Sequence, residues 1–357
     1  MIRNIFNAIL MILTVFLSLL IIGRGVSTAL LPFLDWDILY IFSYLPPHIA
    51  LVLSGVYAGV LFVFNRKKII SYTLVCTAFF SYALDGDHSI KQKLFANKKA
   101  YANTELVENN FSVLALNVQF YWHSFDKVFR FLKEHQADVI LLSENQFRQD
   151  QKNKLFASKE YFLKDYNWPS KNTYTTIMSK YNIISYENIE LPSPQVSIAG
   201  FNEHTDLESL PRRQFAHAKI KIGNKLVNFI SLRFVAGRAR SHDISDQIPW
   251  ALKLFQYQKQ EVAFIKDYLA KLAGPLIVGG DLNLPPGSGF IRDITQNLID
   301  ASKEHSLFGG RTFRNEFVPM IRLDYLLHSP DLVNLETKIL NKEKVSDHFA
   351  LIGKFSI

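Results

Sequence analysis

The hydrophobic positions of this chain follow two patterns, one before residue 85 and another after residue 110. Before residue 85, long apolar segments alternate with short polar stretches. After residue 110, short apolar runs of strand length alternate with stretches of helical spacing. Residues 85–110 between them are polar and rich in lysine, which is typical of a linker. The pattern therefore predicts an anchor over residues 1–84, a linker, and a soluble domain over residues 111–357.

Three apolar segments in the N-terminal part are long enough to cross a bilayer as helices. A spanning helix needs roughly 17–25 apolar residues, and the segments cover residues 5–22, 48–64 and 69–84. A fourth segment carries Asp35 and Asp37, whose burial at mid-membrane would cost about 5–7 kcal/mol. We therefore predict a bundle of about three transmembrane helices. A signal peptide is the alternative for the first segment, but further apolar segments follow it.

Basic residues predict the orientation of this anchor. The cluster Arg66-Lys67-Lys68 lies between the second and third predicted spans. Because short cytoplasmic loops carry an excess of Lys and Arg, this cluster should lie inside and everything after residue 84 outside. We expect an integral protein of the inner or plasma membrane, bound to the lipid bilayer through its N-terminal helices, with a periplasmic or extracellular soluble domain. No protein partner is evident from the sequence.

The soluble part alternates between strand and helix patterns. A two-residue turn, Gly223-Asn224, predicts a hairpin between two of the strands. The predicted strands lie at residues 111–117, 137–144, 174–179, 183–186, 214–222, 225–234, 275–280, 321–327, 335–340 and 349–357, and the helices near residues 125–132, 149–161, 248–272 and 289–296. Many strands with a few intervening helices favour two packed sheets with helices outside.

Composition narrows the chemistry. The only cysteine, Cys76, lies in the apolar part, which excludes an intrachain disulfide and a cysteine-based zinc site. The formal net charge of +8 favours an anionic partner such as nucleic acid, anionic lipid or a phosphate ester. Part of this charge flanks the predicted spans, so it is weak support for nucleic acid.

Polar residues stand where an apolar strand ends in the run Pro-Leu-Ile-Val-Gly-Gly-Asp-Leu-Asn, residues 275–283. Asp281 and Asn283 are two positions apart, so on an extended chain they face the same side. A carboxylate beside a carboxamide in a glycine-rich mouth suits a metal ion or a phosphoryl group. The alternative is an ordinary polar turn after a strand.

Other polar residues take similar positions, and each alone also fits a turn or an exposed strand end. Asp324 lies in an apolar stretch, where a buried carboxylate requires a partner. An Asp-His pair is a common way to hold a metal or a proton donor. These further candidates are Asn117, Glu144, Asp324, Asp347 and His348.

In chain order, these residues form five motifs, Leu-Asn117-Val, Ser-Glu144, Gly-Gly-Asp281-Leu-Asn283, Arg-Leu-Asp324-Tyr and Ser-Asp347-His348. The set resembles the endonuclease/exonuclease/phosphatase superfamily of deoxyribonuclease-like, metal-dependent phosphoesterases, here as a membrane-anchored member of bacterial type. The resemblance covers residues 111–357. It implies an α/β fold, a four-layer sandwich of two packed β-sheets flanked by helices.

The resemblance also implies roles for the candidates. Glu144 would be the main ligand of Mg²⁺ or Mn²⁺, with Asn117 and Asp347 beside it, since hard cations prefer oxygen ligands. Asp281 would activate the attacking water. Asn283, and also Asn117, would bind the substrate phosphate. His348 would stabilise the phosphoryl group and would itself be oriented by Asp324.

Two positions depart from the family pattern. Gln119 stands where many members have an acidic residue, which should weaken metal binding or favour a single ion. Arg233 stands where many have a histidine, and arginine binds phosphate but is no general acid or base. Further candidate substrate-side charges, each alternatively a solvated loop residue, are Arg212, Arg213, Arg238, Arg240 and His242.

The sequence therefore favours a membrane-anchored, divalent-metal-dependent phosphoesterase that hydrolyses a phosphodiester or phosphomonoester by direct water attack, outside the cytoplasm. Its substrate would be a lipid head group, a nucleotide or a nucleic acid. The alternatives are a nuclease acting on extracytoplasmic DNA or RNA and a non-catalytic binding module on the same fold. The last predicts loss of the ligand residues, but the motif residues are present.

Overall fold

The structure, a computed structural model, describes residues 109–119, 124–145, 174–194, 212–236, 244–286, 288–305, 310–313, 321–340 and 345–357. The predicted anchor lies outside these residues, as do the predicted linker up to residue 108, the predicted helix at 149–161 and Arg238, Arg240 and His242. The last residue of the predicted linker, Asn110, is the first residue of strand β1. Among the described residues, no helix is both long and apolar enough to cross a membrane. They fall into two compact units: a larger one within Gln92–Leu284 and Asp293–Ile357, and a smaller one to which Pro285–Arg292 belongs.

In the described part of the chain, the strands form two mixed sheets. The first has the order β10-β11-β1-β2-β3 and the second β4-β5-β6-β7-β9-β8. The elements are β1 (Asn110–Asn117), α1 (Phe125–His135), β2 (Val139–Ser143), β3 (Thr175–Ser179), β4 (Ile183–Pro194), β5 (Arg212–Ile222), β6 (Lys225–Ser231), α2 (Ile244–Leu269), β7 (Leu276–Asp281), α3 (Gly289–Ile294), β8 (Ile299–Asp300), α4 (Ala301–His305), β9 (Asp324–His328), β10 (Val333–Leu340) and β11 (Ala350–Ser356).

The alternation of side chains along β1 shows how the layers form. Val113 and Ala115 point between the two sheets, into a core that includes Phe229 of β6. The intervening Leu114 points the other way, into a second core under α1. Because successive residues of a strand face opposite sides, a strand that is apolar throughout is buried on both faces. On the outer side of the second sheet, Tyr268 of α2 packs edge-on against Phe215, with ring centroids 5.2 Å apart.

These layers confirm the predicted architecture of two packed β-sheets flanked by helices. The Gly223-Asn224 hairpin is also confirmed, with Ile222 pairing with Lys225 across it and Gly223 at φ 56°. Strand β4 differs most from its prediction, because it continues to Pro194 instead of ending near residue 186. It is the outermost strand of its sheet, and its solvent-facing polar residues obscure the alternation.

Candidate active site

The candidate residues meet at one edge of the two sheets. The parallel strands β1 and β2 end side by side, with Asn117 opposite Ser143, and Glu144 follows directly. In the second sheet, Asp281 at the end of β7 pairs in register with Asp324 at the start of the antiparallel β9. Chain direction and pairing therefore bring residues far apart in sequence to the same edge, as the motifs predicted.

Asp281 is held by three hydrogen bonds from two neighbouring asparagines. Its Oδ2 accepts from Nδ2 of Asn117 at 3.0 Å and from Nδ2 of Asn283 at 2.9 Å, and its Oδ1 accepts from the Asn283 backbone N–H at 3.0 Å. The side chain is buried, 1% exposed. A carboxylate oxygen can accept two hydrogen bonds, so Oδ1 can receive a further donor. Asp281 is therefore fixed in orientation and still able to accept a proton.

A glycine sets the approach of the chain to Asp281. Gly280 has φ 137°, and a Cβ built there would lie 2.1 Å from the Leu232 carbonyl oxygen. An L side chain at this position would therefore be both strained and overlapped. The glycine lets the end of β7 lie close against the chain that follows β6, which brings Asp281 near the residues beyond that strand.

His348 forms a buried triad with two aspartates. Its Nδ1 donates to Oδ2 of Asp324 at 2.7 Å, and its Nε2 lies 4.0 Å from Oδ2 of Asp281. Burial would lower the pKa of His348, but Asp324 and Asp281 raise it to about 10. The imidazole is therefore a cation at neutral pH, with Nε2–H directed into the space beside Asp281.

The pKa of Asp281 is raised above that of an ordinary aspartate. Burial raises its pKa to about 6, the carboxylates of Asp324 and Glu144 add to the rise, and His348 and Arg233 oppose it. A base with a pKa near the working pH is ionised there and still basic enough to take a proton. Its environment thus matches Asp281 to a general base.

The backbone around Asp324 is fixed by a threonine. Thr312 Oγ1 accepts hydrogen bonds from the backbone N–H groups of Leu323 and Asp324, at 3.0 and 2.9 Å. Phe313 then pairs with His348 in an isolated β-bridge, and their ring centroids lie 4.9 Å apart. Residues 312 and 313 therefore hold both members of the Asp324–His348 pair.

Glu144 has a permanent cation as its neighbour. Nη2 of Arg233 donates to Glu144 Oε1 at 2.5 Å, and Nε of Arg233 lies 3.9 Å from Asp281 Oδ2. Burial alone would raise the pKa of Glu144, but Arg233, His348 and a hydrogen bond from Asn117 hold it below its ordinary value. Asn117 thus donates to both Glu144 and Asp281, which links the two carboxylates.

The residues around Glu144 fit a hard divalent cation. Asp347 is half-buried, and its pKa is raised by burial and by the charge of Glu144. Nε2 of Gln119 donates to Asp347 Oδ2 at 2.9 Å, whereas the buried Oε1 of Gln119 has no hydrogen-bond partner among the described residues. Two repelling carboxylates beside an unpaired amide oxygen are the donor set that Mg²⁺ or Mn²⁺ takes.

A second acidic group has the geometry of a metal site, but several of its polar atoms already form hydrogen bonds. Asp281, Asp324 and His348 place potential ligand atoms within 4.8 Å of one another. However, His348 Nδ1 already donates to Asp324 Oδ2, and Asp281 Oδ2 already accepts from Asn117 and Asn283. We therefore assign this group to proton transfer and the Glu144 side of the site to the cation.

The structure brings together the eight candidates Asn117, Glu144, Arg233, Asp281, Asn283, Asp324, Asp347 and His348 as one cluster of hydrogen bonds and charge interactions. Two details refine the sequence analysis. Nδ2 of Asn283 donates to Asp281 and to the Phe234 carbonyl, so its contacts here orient Asp281. Arg233 lies beyond β6, which ends at Ser231, rather than within a strand reaching residue 234.

Other residues of the site were not recognised from the sequence. Tyr174 lies just before β3. Burial raises its pKa, and the charges of Arg233 and Glu144 also act on its hydroxyl group. Arg213 was predicted as a candidate substrate-side charge or a solvated loop residue; in the structure it is buried in β5 and its Nε lies 3.0 Å from Glu261 of α2. No sequence pattern marks Tyr174, which lies in a polar stretch, or Glu261, which lies on a long helix. Tertiary packing alone brings them to the site.

The combination of a carboxylate base, a cationic imidazole and a hard-oxygen cation site is that of a metal-dependent phosphoesterase. Sequence comparison agrees with this class. The Endonuclease/Exonuclease/phosphatase family matches residues 114–348, well over half of the chain, and the chain belongs to this family. It is a hydrolase of the divalent-metal-dependent phosphoesterase and nuclease class.

Solved structures share the fold at low sequence identity. Humanized TDP2 from D. rerio is 14% identical, with 70% of this chain and 99% of that one covered at a TM-score of 0.52. An endonuclease/exonuclease/phosphatase from Bacteroides vulgatus is 17% identical, with 70% and 99% covered and a TM-score of 0.50. The 3′ phosphatase NExo from Neisseria, bound to a product DNA hairpin, is 17% identical, with 68% and 98% covered and a TM-score of 0.50. No curated protein matches significantly.

Removing the guanidinium beside Glu144 should make stability depend on metal. Arg233→Met leaves a buried carboxylate without its cation, and we expect the free energy of unfolding in chelator to fall by about 3 kcal/mol. Added Mg²⁺ should stabilise the variant more than the wild type. The ion binds only the folded site, and in the variant it neutralises the Glu144 carboxylate in place of the missing guanidinium. Thermal melting with and without Mg²⁺ measures both effects. Arg212→Met, at an exposed neighbour, is the control, and equal melting of Arg233→Met and wild type in chelator would contradict the pairing.

Proposed function

We propose that this protein is a membrane-anchored phosphoesterase that uses Mg²⁺ or Mn²⁺ and hydrolyses a phosphodiester or phosphomonoester by direct attack of water, with its active site outside the cytoplasm. The observation that carries the chemistry is the arrangement of Asp281 and His348. A base with a raised pKa faces a protonated imidazole across 4.0 Å. This spacing suits a base for the water beside a donor for the phosphoryl oxygen.

The residues of the chain divide the work between them. Asp281 takes a proton from the attacking water through a carboxylate that Asn117 and Asn283 keep in one orientation. Nε2–H of His348 donates to a phosphoryl oxygen as negative charge develops there, while Asp324 holds the ring through Nδ1. Such preorganised donors are usually the largest single contribution to catalysis of this kind.

A divalent cation would be held by Glu144 and Asp347 with the oxygens of Gln119 and Asn117 nearby. When bound, it supplies Lewis-acid stabilisation of the charge on the phosphoryl and leaving-group oxygens. The departures at Gln119 and Arg233 make this side of the site less negative than the family pattern, which supports use of a single ion.

The proposed division of roles predicts a bell-shaped dependence of kcat/KM on pH. Asp281 must be ionised, so activity should be lost as pH falls through about 6. His348 must be protonated, so activity should be lost as pH rises through about 10. The profile should be recorded with a diester substrate, whose own charge is constant over this range. Residual activity of Asp281→Asn should lack the acid limb, and a wild-type rate that stays flat between pH 5 and pH 7 would contradict the role of Asp281.

The membrane anchor and the extracytoplasmic site rest on the three apolar segments and the basic cluster at residues 66–68. Fusing alkaline phosphatase, which is active only outside the cytoplasm, to the C-terminus of the full chain tests the orientation. An active fusion is expected. A fusion that is inactive, while a C-terminal green fluorescent protein is bright, would place the domain inside.

A nuclease is the second candidate for the substrate. D. rerio TDP2 has been solved with a single-strand DNA product at a TM-score of 0.50, and the Neisseria enzyme with a DNA hairpin. A panel distinguishes the substrate classes: a generic diester and monoester, phospholipid vesicles, and single-stranded DNA, each with Mg²⁺, Mn²⁺ or chelator. Turnover of vesicles supports a lipid head group, whereas salt-sensitive turnover of DNA supports the nuclease.

A further inference from the structure

The chain that follows β6 is held mostly by side chains from other elements, together with one backbone hydrogen bond from the Phe234 N–H to the Asp281 carbonyl at 3.2 Å. We call residues 233–235 the post-β6 segment. The carbonyl of Arg233 accepts from Nη2 of Arg213 at 2.7 Å, and the carbonyl of Phe234 accepts from Nδ2 of Asn283 at 3.0 Å. Since backbone groups buried outside a strand need other partners, these side chains determine the path of the segment.

Helix α2 supplies the partners of Val235 in this segment. Glu261 Oε2 accepts from the Val235 N–H at 2.7 Å. Nε2 of Gln258 donates to the Val235 carbonyl at 2.8 Å and to the Asn283 carbonyl at 3.0 Å. Two side chains one helical turn apart therefore connect α2 to the two loops that carry Arg233 and Asn283.

Arg213 and Glu261 form a buried ion pair that the mechanism does not use. Arg213 Nε lies 3.0 Å from Glu261 Oε1, and the two side chains are 6% and 0% exposed. Ser193 Oγ also donates to the same Glu261 oxygen. Burying an ion pair often contributes no more stability than well-packed apolar residues would, so stability alone is a weak explanation for it. The ion pair instead fixes the position of the post-β6 segment, because Arg213 contacts both Glu261 and the Arg233 carbonyl.

We propose that Arg213, Gln258 and Glu261 are positioning residues of the active site, which fix the post-β6 segment and thereby direct the Arg233 guanidinium onto Glu144. The inference rests on the proposed function, because it concerns the same site. Glu261 contacts the segment directly at the Val235 N–H and indirectly through Arg213, which bonds the Arg233 carbonyl. The Arg233 side chain then contacts Glu144 at 2.5 Å. In this arrangement α2 acts on the reaction without touching the substrate.

The test is a double-mutant cycle on the full chain, with a generic phosphodiester and Mn²⁺. Glu261→Gln keeps the size of the side chain and removes its charge. Loss of an outer residue that orients a metal-site residue typically lowers activity about 10-fold to 100-fold, and we expect that loss in kcat with KM little changed. In the Arg233→Met background, Glu261→Gln should cause less than about a 2-fold further loss, since coupled residues are non-additive.

Two further variants separate positioning from folding. Gln258→Met should lower kcat in the same sense, and it keeps the test valid if Glu261→Gln does not fold. Asn228→Ala is the matched control, because Asn228 is buried in β6 and bonds the carbonyls of residues 273 and 275 away from the segment. It should melt at a lower temperature with kcat unchanged.

Three outcomes decide between the possibilities. A wild-type protein that hydrolyses neither a generic phosphodiester nor a generic phosphomonoester would overturn the proposed function and this inference together. Glu261→Gln and Gln258→Met with unchanged kcat, while Arg233→Met is impaired, would overturn the positioning role alone. A full loss on adding Glu261→Gln to Arg233→Met would also overturn it, because Glu261 would then act independently of Arg233.

Discussion

Replacing Asp281 with asparagine is expected to lower kcat by about 100-fold or more, which is the lower range for loss of a general base. Asparagine has the same shape but cannot accept the proton of the attacking water. The neighbours Asn117 and Asn283 remain to hold it, so we expect the fold to persist. Steady-state kinetics with saturating metal, together with circular dichroism, measures both parts.

The control for this variant is Asp138→Asn. Asp138 is also hydrogen-bonded, accepting from the backbone N–H and hydroxyl of Ser112 at 2.8 and 2.7 Å. It precedes β2, at the opposite end of that strand from Glu144. We expect its kcat to match the wild type, whereas near-wild-type turnover by Asp281→Asn would show that another group activates the water.

His348→Ala is expected to lower kcat by about 100-fold to 1,000-fold, the usual effect of removing one preorganised donor to a developing oxyanion. The variant also leaves Asp281 and Asp324 facing each other across paired strands without the cation between them. The pKa of Asp281 should therefore rise further, and the acid limb of the pH profile should move to higher pH.

The matched control is His328→Ala. His328 is buried like His348, at 1% against 5% exposed, and lies in β9 at the other end of the strand from Asp324. Its Nδ1 donates to the Ser329 carbonyl at 2.9 Å rather than to a site carboxylate. Its variant should melt earlier and turn over normally. A loss of activity shared equally by the two variants would point to a general effect of a cavity and contradict the donor role of His348.

The sequence was sufficient to predict two packed sheets and eight of the residues that meet at the candidate site, and the reason is visible in the strand pairing. Buried strands are readable as apolar runs, and polar residues at their ends are conspicuous. Asp281 and Asp324 are far apart in the chain, yet both mark the same edge because β7 and β9 are antiparallel neighbours. Before the structure, the order and spacing of the motifs were what linked them.

The contacts between side chains could not be predicted in the same way. Arg233 was expected at a phosphate, but in the structure its guanidinium lies on Glu144. The buried pair of Arg213 and Glu261 joins a strand to a helix, and no local pattern marks such a pair, because its existence depends on how α2 docks. Arg212, the adjacent residue in sequence, is exposed, so even the choice between two neighbouring arginines required the fold.

The central claim is metal-dependent hydrolysis of a phosphate ester with Asp281 as the base. It is tested most directly by the turnover of a generic phosphodiester by the full chain in detergent, for the wild type and Asp281→Asn side by side, with Mg²⁺ and with chelator. The account predicts turnover by the wild type with Mg²⁺, none in chelator, and about 100-fold less for Asp281→Asn with Mg²⁺. Wild-type turnover that survives the chelator, or equal rates for the two proteins, would contradict it.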